Sequence, residues 1–196
     1  MANLTEQLMS QIGENGLESM ATKIGADKNQ VKSALEGMVP TMLKAISGNT
    51  TNSGGASGFL SALDRDHDSS ILDDVSGFLQ SPEKGNGAGI LKHVLGENRN
   101  NVEGQLAASS GLSASSMGSL MEMVAPLVMG MLGKQKKQTS TGFGLDDISG
   151  MLGSLSDGKG FELSDIMEMV GGGGSAKSKS KAGGLLGMLG NLFGKK

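Results

Sequence analysis

The sequence has no cysteine, no tryptophan and no tyrosine among its 196 residues, and only five phenylalanines. Without cysteine, neither disulfides nor thiolate-held metals can brace the chain, which suits a reducing compartment. Two histidines, His67 and His93, are too few for a histidine-rich metal cluster. Apolar packing must rest on Leu, Met, Ile, Val and Ala, a set that favours helices over sheets. Long apolar runs are also missing. The most apolar stretch, Met121 to Leu132, is interrupted by Glu122 and Pro126 and falls short of the ~18 consecutive residues of a membrane span. The opening MANLTEQLMSQIGENG has no basic segment followed by an apolar one, so no secretory signal is read there and a cytoplasmic protein is expected. A net charge of −3, with both signs interspersed, argues against a protein dominated by phosphate-backbone contacts.

An internal echo organises what is present. Pro40 and Pro126 stand 86 residues apart, and the same offset aligns Gly25 with Gly111, Ser33 with Ser119 and Glu36 with Glu122. Val31, Leu35 and Met38 meet Met117, Met121 and Val124, while Leu4, Leu8 and Met9 meet Ile90, Val94 and Leu95. The pattern reads as a duplicated unit of short helices. In each copy a glycine (Gly25, Gly111) sits where a left-handed C-cap belongs, and Asp27 or Ser113 follows as an N-cap. Pro40 and Pro126 fall inside helical patterns, where kinks are expected. A second echo lies further on: Asp73-Asp74-Val75-Ser76-Gly77-Phe78-Leu79 matches Asp146-Asp147-Ile148-Ser149-Gly150-Met151-Leu152. Polar, glycine-rich linkers are read over 49–55 and 81–89.

The expected architecture is all-α: one helical domain over 1–134, with related units at about 4–46 and 90–132 joined by an acidic-loop segment at 58–79. A glycine-interrupted helical extension over 135–170 and a low-complexity, flexible tail over 171–196 follow.

Four stretches carry a family resemblance. They are Ile24-Gly25-Ala26-Asp27 leading to Val39-Pro40; Leu63-Asp64-Arg65-Asp66-His67-Asp68-Ser69-Ser70-Ile71-Leu72-Asp73-Asp74; Gly89-Ile90-Leu91-Lys92-His93-Val94-Leu95-Gly96; and Ser110-Gly111-Leu112 leading to Ala125-Pro126-Leu127-Val128-Met129-Gly130. In their order and spacing, over about Leu4 to Lys134, they resemble the bacterial domain of unknown function 937 family, which includes the YidB-like proteins. The resemblance implies an all-helical fold and brings no activity, substrate or catalytic residue with it. Relatives often have glycine where this chain has Ser69.

The sharpest local feature is the acidic run beginning at Asp64. Asp64, Asp66 and Asp68 at alternating positions, with Ser70 next in the series, resemble the start of a calcium-binding EF-hand loop. The usual bidentate glutamate position holds Val75, so Asp73 or Asp74 could take that place only if the loop closes early, and Asp73 is the one counted with the set. Calcium is therefore the one cofactor considered, set against a solvated loop in which Ser70 or Asp73 caps the next helix. The methionines at 117, 121, 123, 129 and 131 read as core before they read as an adaptable groove. The tail GGLLGMLGNLFGKK, with Lys177, Lys179 and Lys181 upstream, has the composition of a segment that docks on a membrane surface or a partner. No nucleophile elbow, phosphate loop or zinc motif occurs. The function expected is thus non-enzymatic: a structural or interaction module with a protein partner, self-association included. Calcium response and membrane contact are the alternatives, and nucleic acid is not expected.

Overall fold

The computed structural model describes residues 3–50, 53–65 and 70–138, together with Asp147 and Gly150. These residues form helices α1 (Leu4–Ile24), α2 (Lys28–Asn49), α3 (Ser53–Arg65), α4 (Val75–Gln80), α5 (Gly87–Leu95), α6 (Arg99–Ser110) and α7 (Ala114–Gln138). Short 3-10 turns at Ser70–Leu72, Pro82–Gly85 and Gly96–Asn98 link them, and there is no strand among the described residues. The all-α reading holds.

Local chemistry sets the helix ends. At the start of α1 the Glu6 amide donates to Asn3 Oδ1 at 2.9 Å, and the Asn3 amide donates to the Glu6 carboxylate at 3.1 Å. That reciprocal pair satisfies two amides that would otherwise lack intrahelical partners. Helix α1 is interrupted at Gly13, whose φ of 66° and ψ of 174° suit only glycine. The break falls within the Gly13–Gly16 stretch. Gly25 (φ 65°) and Gly111 (φ 72°) both close their helices in the left-handed conformation. Behind them, Ala26 N–H donates to Ala21 O at 2.9 Å and Leu112 N–H to Ala107 O at 3.0 Å. These are the same five-residue closing bond, repeated 86 residues later.

Helix α7 lies at the centre. Met117, Leu120, Met121, Met123, Val124, Leu127, Val128, Met129, Met131 and Leu132 are all buried, so its apolar residues face inward around most of its circumference. Among the described residues it is the one helix long and apolar enough to cross a membrane, but 83% of its most apolar window is buried inside the fold. A helix that is hydrophobic all round is a core helix when neighbours cover it. The five clustered methionines are therefore core. Helix α2 contributes the next layer through Val31, Leu35, Met38, Met42, Leu43 and Ile46. Pro40 and Pro126 both lie buried within α2 and α7.

Contacts between the two sequence units are reciprocal. Gln30 uses its amide in two directions: Oε1 accepts from the Asp27 N–H at 3.0 Å, and Nε2 donates to Gly111 O at 2.7 Å. Ser116, 86 residues later, donates its hydroxyl to Ile24 O at 3.1 Å, while its amide donates to Ser113 Oγ at 3.0 Å. The first turn of α2 thus caps the end of α6, and the first turn of α7 caps the end of α1.

The joining segments differ from the expected linkers. Ser53–Gly55 belong to α3 and the second linker contains the 3-10 turn Pro82–Gly85. Two glycines there allow close approach to α7. A Cβ on Gly87 would collide with the Glu122 backbone, and one on Gly85 would lie 2.7 Å from Pro126.

Candidate functional site

The C-terminal ends of α2 and α5 meet in a half-open cleft of about 500 Å³, completed by the turn Gly96–Asn98. Asn49 ties the two helix ends together, donating through Nδ2 to His93 O at 3.1 Å and Val94 O at 2.7 Å. Carbonyls at a helix end have no intrahelical partner, so this amide satisfies groups that would otherwise face the cleft unbonded. Gly96, with φ 55° and ψ −131°, turns the chain out of α5 in a conformation reserved for glycine. The floor is apolar: Ala45, Val94 and Leu95 line it and are buried.

The rim is polar. Lys44 is half-buried and has no ion-pair partner among the described residues. Glu97 and His93 are exposed on the other wall. His93 Nδ1 lies 3.0 Å from Gly89 O, so that nitrogen carries the proton and Nε2 is left facing outward. A cation and a carboxylate across an apolar floor give the cleft a polarity that a ligand must match.

Two charged clusters stand outside the cleft. Arg99 donates through Nε to Glu103 and through Nη2 to Glu122, each at 2.6 Å. It thereby locks α6 to α7. Between α1 and α2, Glu14 accepts from Lys28 at 2.7 Å and Lys32 at 3.0 Å. The Lys28 and Lys32 ammonium groups hold the Glu14 carboxyl down to about 2. Both lysines are thus engaged with an acidic neighbour.

Of the residues read as a calcium loop, Asp66 and Asp68 lie outside the described residues, as do His67 and the Asp64 side chain. Ser70 and Asp73 are described and exposed. The Asp73 amide donates to Ser70 O at 3.0 Å, closing the 3-10 turn. The cap of α4 is Asp74, whose Oδ1 accepts from Gly77 N–H at 2.8 Å, and neither Ser70 nor Asp73 takes that place. Among the described residues no group of three His, Asp or Glu side chains converges as a metal site would.

Lys44, Asn49 and Glu97 escaped the sequence reading. Each lies in a different local pattern, and the close approach of the ends of α2 and α5 exists only in the folded chain. The nearest sequence signal was His93, which stands among the apolar neighbours Leu91, Val94 and Leu95 and is exposed.

No curated protein and no solved structure matches the chain. The sequence profile of the family described as "Bacterial protein of unknown function (DUF937)" matches residues 6–135. That span runs from the first turn of α1 to the last turns of α7, the whole of the helical body described above. On that match the chain belongs to the DUF937 family of bacterial proteins.

Proposed function

We propose that this DUF937 domain is a non-enzymatic interaction module, built by duplication of a helical unit, which receives a short amphipathic segment in the α2–α5 cleft. The observation that carries this reading is the cleft itself: an apolar floor of Ala45, Val94 and Leu95 beneath a rim of Lys44, His93 and Glu97. Its polar groups stand at the edge and none is buried at the bottom, which suits a partner that lays an apolar face inward and keeps polar ends at the rim. The reciprocal caps made by Gln30 and Ser116 support the duplication. They give the binding face a rigid frame, because each unit closes a helix of the other.

Gly48 gives a means of testing the site in place. It lines the cleft and a Cβ there meets nothing within 4 Å, so a bulky photo-reactive phenylalanine analogue can stand at 48 without disturbing the core. Irradiation of cells carrying it should yield discrete adducts with another protein. The same probe at exposed Ser33, on the same helix but outside the cleft, should not. Equal adduct patterns from both positions would overturn the assignment of the cleft.

A further inference from the structure

Helix ends ordinarily offer bare carbonyls, and a cleft lined by two such ends would recognise a hydrogen-bond donor or a cation. Here those acceptors are taken. At the end of α2 the Thr50 hydroxyl donates to Ile46 O at 2.9 Å and to Ser47 O at 3.1 Å. At the end of α5 the Gly96 N–H donates to Lys92 O, and the Asn49 amide covers the next two carbonyls, His93 O and Val94 O. These groups are bonded within the chain, so they give an extended peptide no row of acceptors to pair with.

Recognition therefore falls to the side chains. Asn49 is engaged as described, and His93 Nδ1 is held by Gly89 O. Lys44 and Glu97 are different. They carry opposite charges on opposite walls, and among the described residues neither has an ion-pair partner, the other included. Where this fold uses charge to join helices it pairs the groups closely: Arg99 meets Glu103 and Glu122 at 2.6 Å, and Glu14 meets Lys28 at 2.7 Å. Lys44 is also half-buried beside the apolar floor. An ammonium partly withdrawn from water gains more from an arriving carboxylate than a fully exposed one does, because solvent screens the pair less. Exposed Glu97 offers the matching attraction to a cation.

The two charges also impose a direction. Hydrophobic contact is non-directional, so a floor of Ala45, Val94 and Leu95 alone would accept a segment either way round. A positive wall facing a negative one makes the two orientations unequal, because one of them brings like charges together.

We propose that the α2–α5 cleft is a dipolar socket. It selects a partner-protein segment that carries an acidic side chain for Lys44, a basic side chain for Glu97 and apolar residues between them, and it binds that segment in one orientation. This rests on the docking reading of the cleft and names the chemistry of its partner.

The probe is a phage-displayed library of random short peptides, panned on the full-length protein. Peptides seated in the cleft are those lost on Gly48→Trp, whose side chain enters space that a Cβ leaves empty. They should carry an acidic and a basic residue on either side of an apolar stretch. Lys44→Glu and Glu97→Lys should each weaken them at least about tenfold, since like charges then face each other. Changing the acid of such a peptide to lysine should restore its binding to the Lys44→Glu protein. If that variant is not folded by circular dichroism, Lys44→Gln takes its place: amidating the peptide's acid should then cost nothing further, as expected of two groups that act as one pair. Cleft-bound peptides without charged flanks, or charged ones indifferent to both reversals, would overturn the socket while the docking reading stands. Recovery of no peptide sensitive to Gly48→Trp would overturn the socket too, and if the photo-probe at 48 is also silent the docking reading falls with it.

Discussion

Two grooves of this fold are treated oppositely. Between α1 and α7, Ile71 of the Ser70–Leu72 turn leaves no room for a side chain on Gly130 without a shift, and Leu79 of α4 lies 3.1 Å from the Cβ position of Gly16, behind Ile12 of the same helix at 2.7 Å. Between α2 and α5, a Cβ on Gly48 would face open space, and Lys44 has no ion-pair partner among the described residues. Helices α2 and α7, one on each groove, are alike in length and in apolar spacing. What differs is whether a neighbouring piece of chain has been laid into the gap. Similar helices therefore need not present similar surfaces, and the uncovered cleft is the surface on which the proposed docking rests.

The largest effect expected from a single methyl is at Gly87, which starts one wall of the open cleft. A Cβ there would run into the Glu122 backbone, which no rotamer change can relieve. Gly87→Ala should cost about 3 kcal/mol in a denaturant unfolding experiment, the upper end of ordinary overpacking. It should also displace α5 and loosen the cleft. A cost below about 1 kcal/mol would show that α5 can retreat from α7 freely, and the wall would then be soft.

Opposite signs are expected when the same substitution is made in the two grooves. Alanine is favoured over glycine within a helix by about 1 kcal/mol. At Gly48 nothing opposes that gain, so Gly48→Ala should stabilise by up to about 1 kcal/mol. At Gly130 the new methyl must push Ile71 aside, and the overpacking cost of about 1–3 kcal/mol should exceed the helix gain. Gly130→Ala should therefore lower the unfolding midpoint while Gly48→Ala raises it. If both raise it, the α1–α7 groove is packed no more tightly than the open one and the contrast fails.

Much of this body was legible before any coordinates, and the reasons are local. Gly25 and Gly111 need a left-handed conformation, Asp27 and Ser113 stand at helix starts, and apolar residues recur at helical spacing through both units. These signals act over three or four residues and read directly. The misreadings have a common cause in long-range contact. Ser53–Gly55 looked like linker because glycine disfavours helix by about 1 kcal/mol each, yet they begin α3, which packs on α7 and is held near its middle by the Lys136–Leu60 bond. Asp74 outcompeted Ser70 and Asp73 for the cap because those two are engaged in the preceding 3-10 turn. The cleft was invisible because its walls come from positions 44–49 and 93–98, brought together by Asn49 across more than forty residues.

The smallest predicted effect concerns charge, where the two units also part company. In the second unit Arg99 bridges two glutamates at 2.6 Å, and the Glu103 side chain is only 13% exposed, so salt screens it weakly. In the first unit Glu14 is 64% exposed between Lys28 and Lys32. Those ammonium groups lower its carboxyl from 4.5 to about 2. A carboxyl held lower in the folded chain than in the unfolded one contributes stability above its unfolded value, and loses it as pH falls toward the folded value. The stabilisation by Glu14 should therefore be complete above about 4.5 and fade between there and about 2. Comparing the thermal midpoints of the native protein and Glu14→Gln across that window should show a small difference at neutral pH that closes on acidification. Added salt should shrink it as well, because the group is open to solvent. A difference that persists at the acid end would mean that the glutamine disturbs the Gly13 break in α1, and that the lysine pair contributes little.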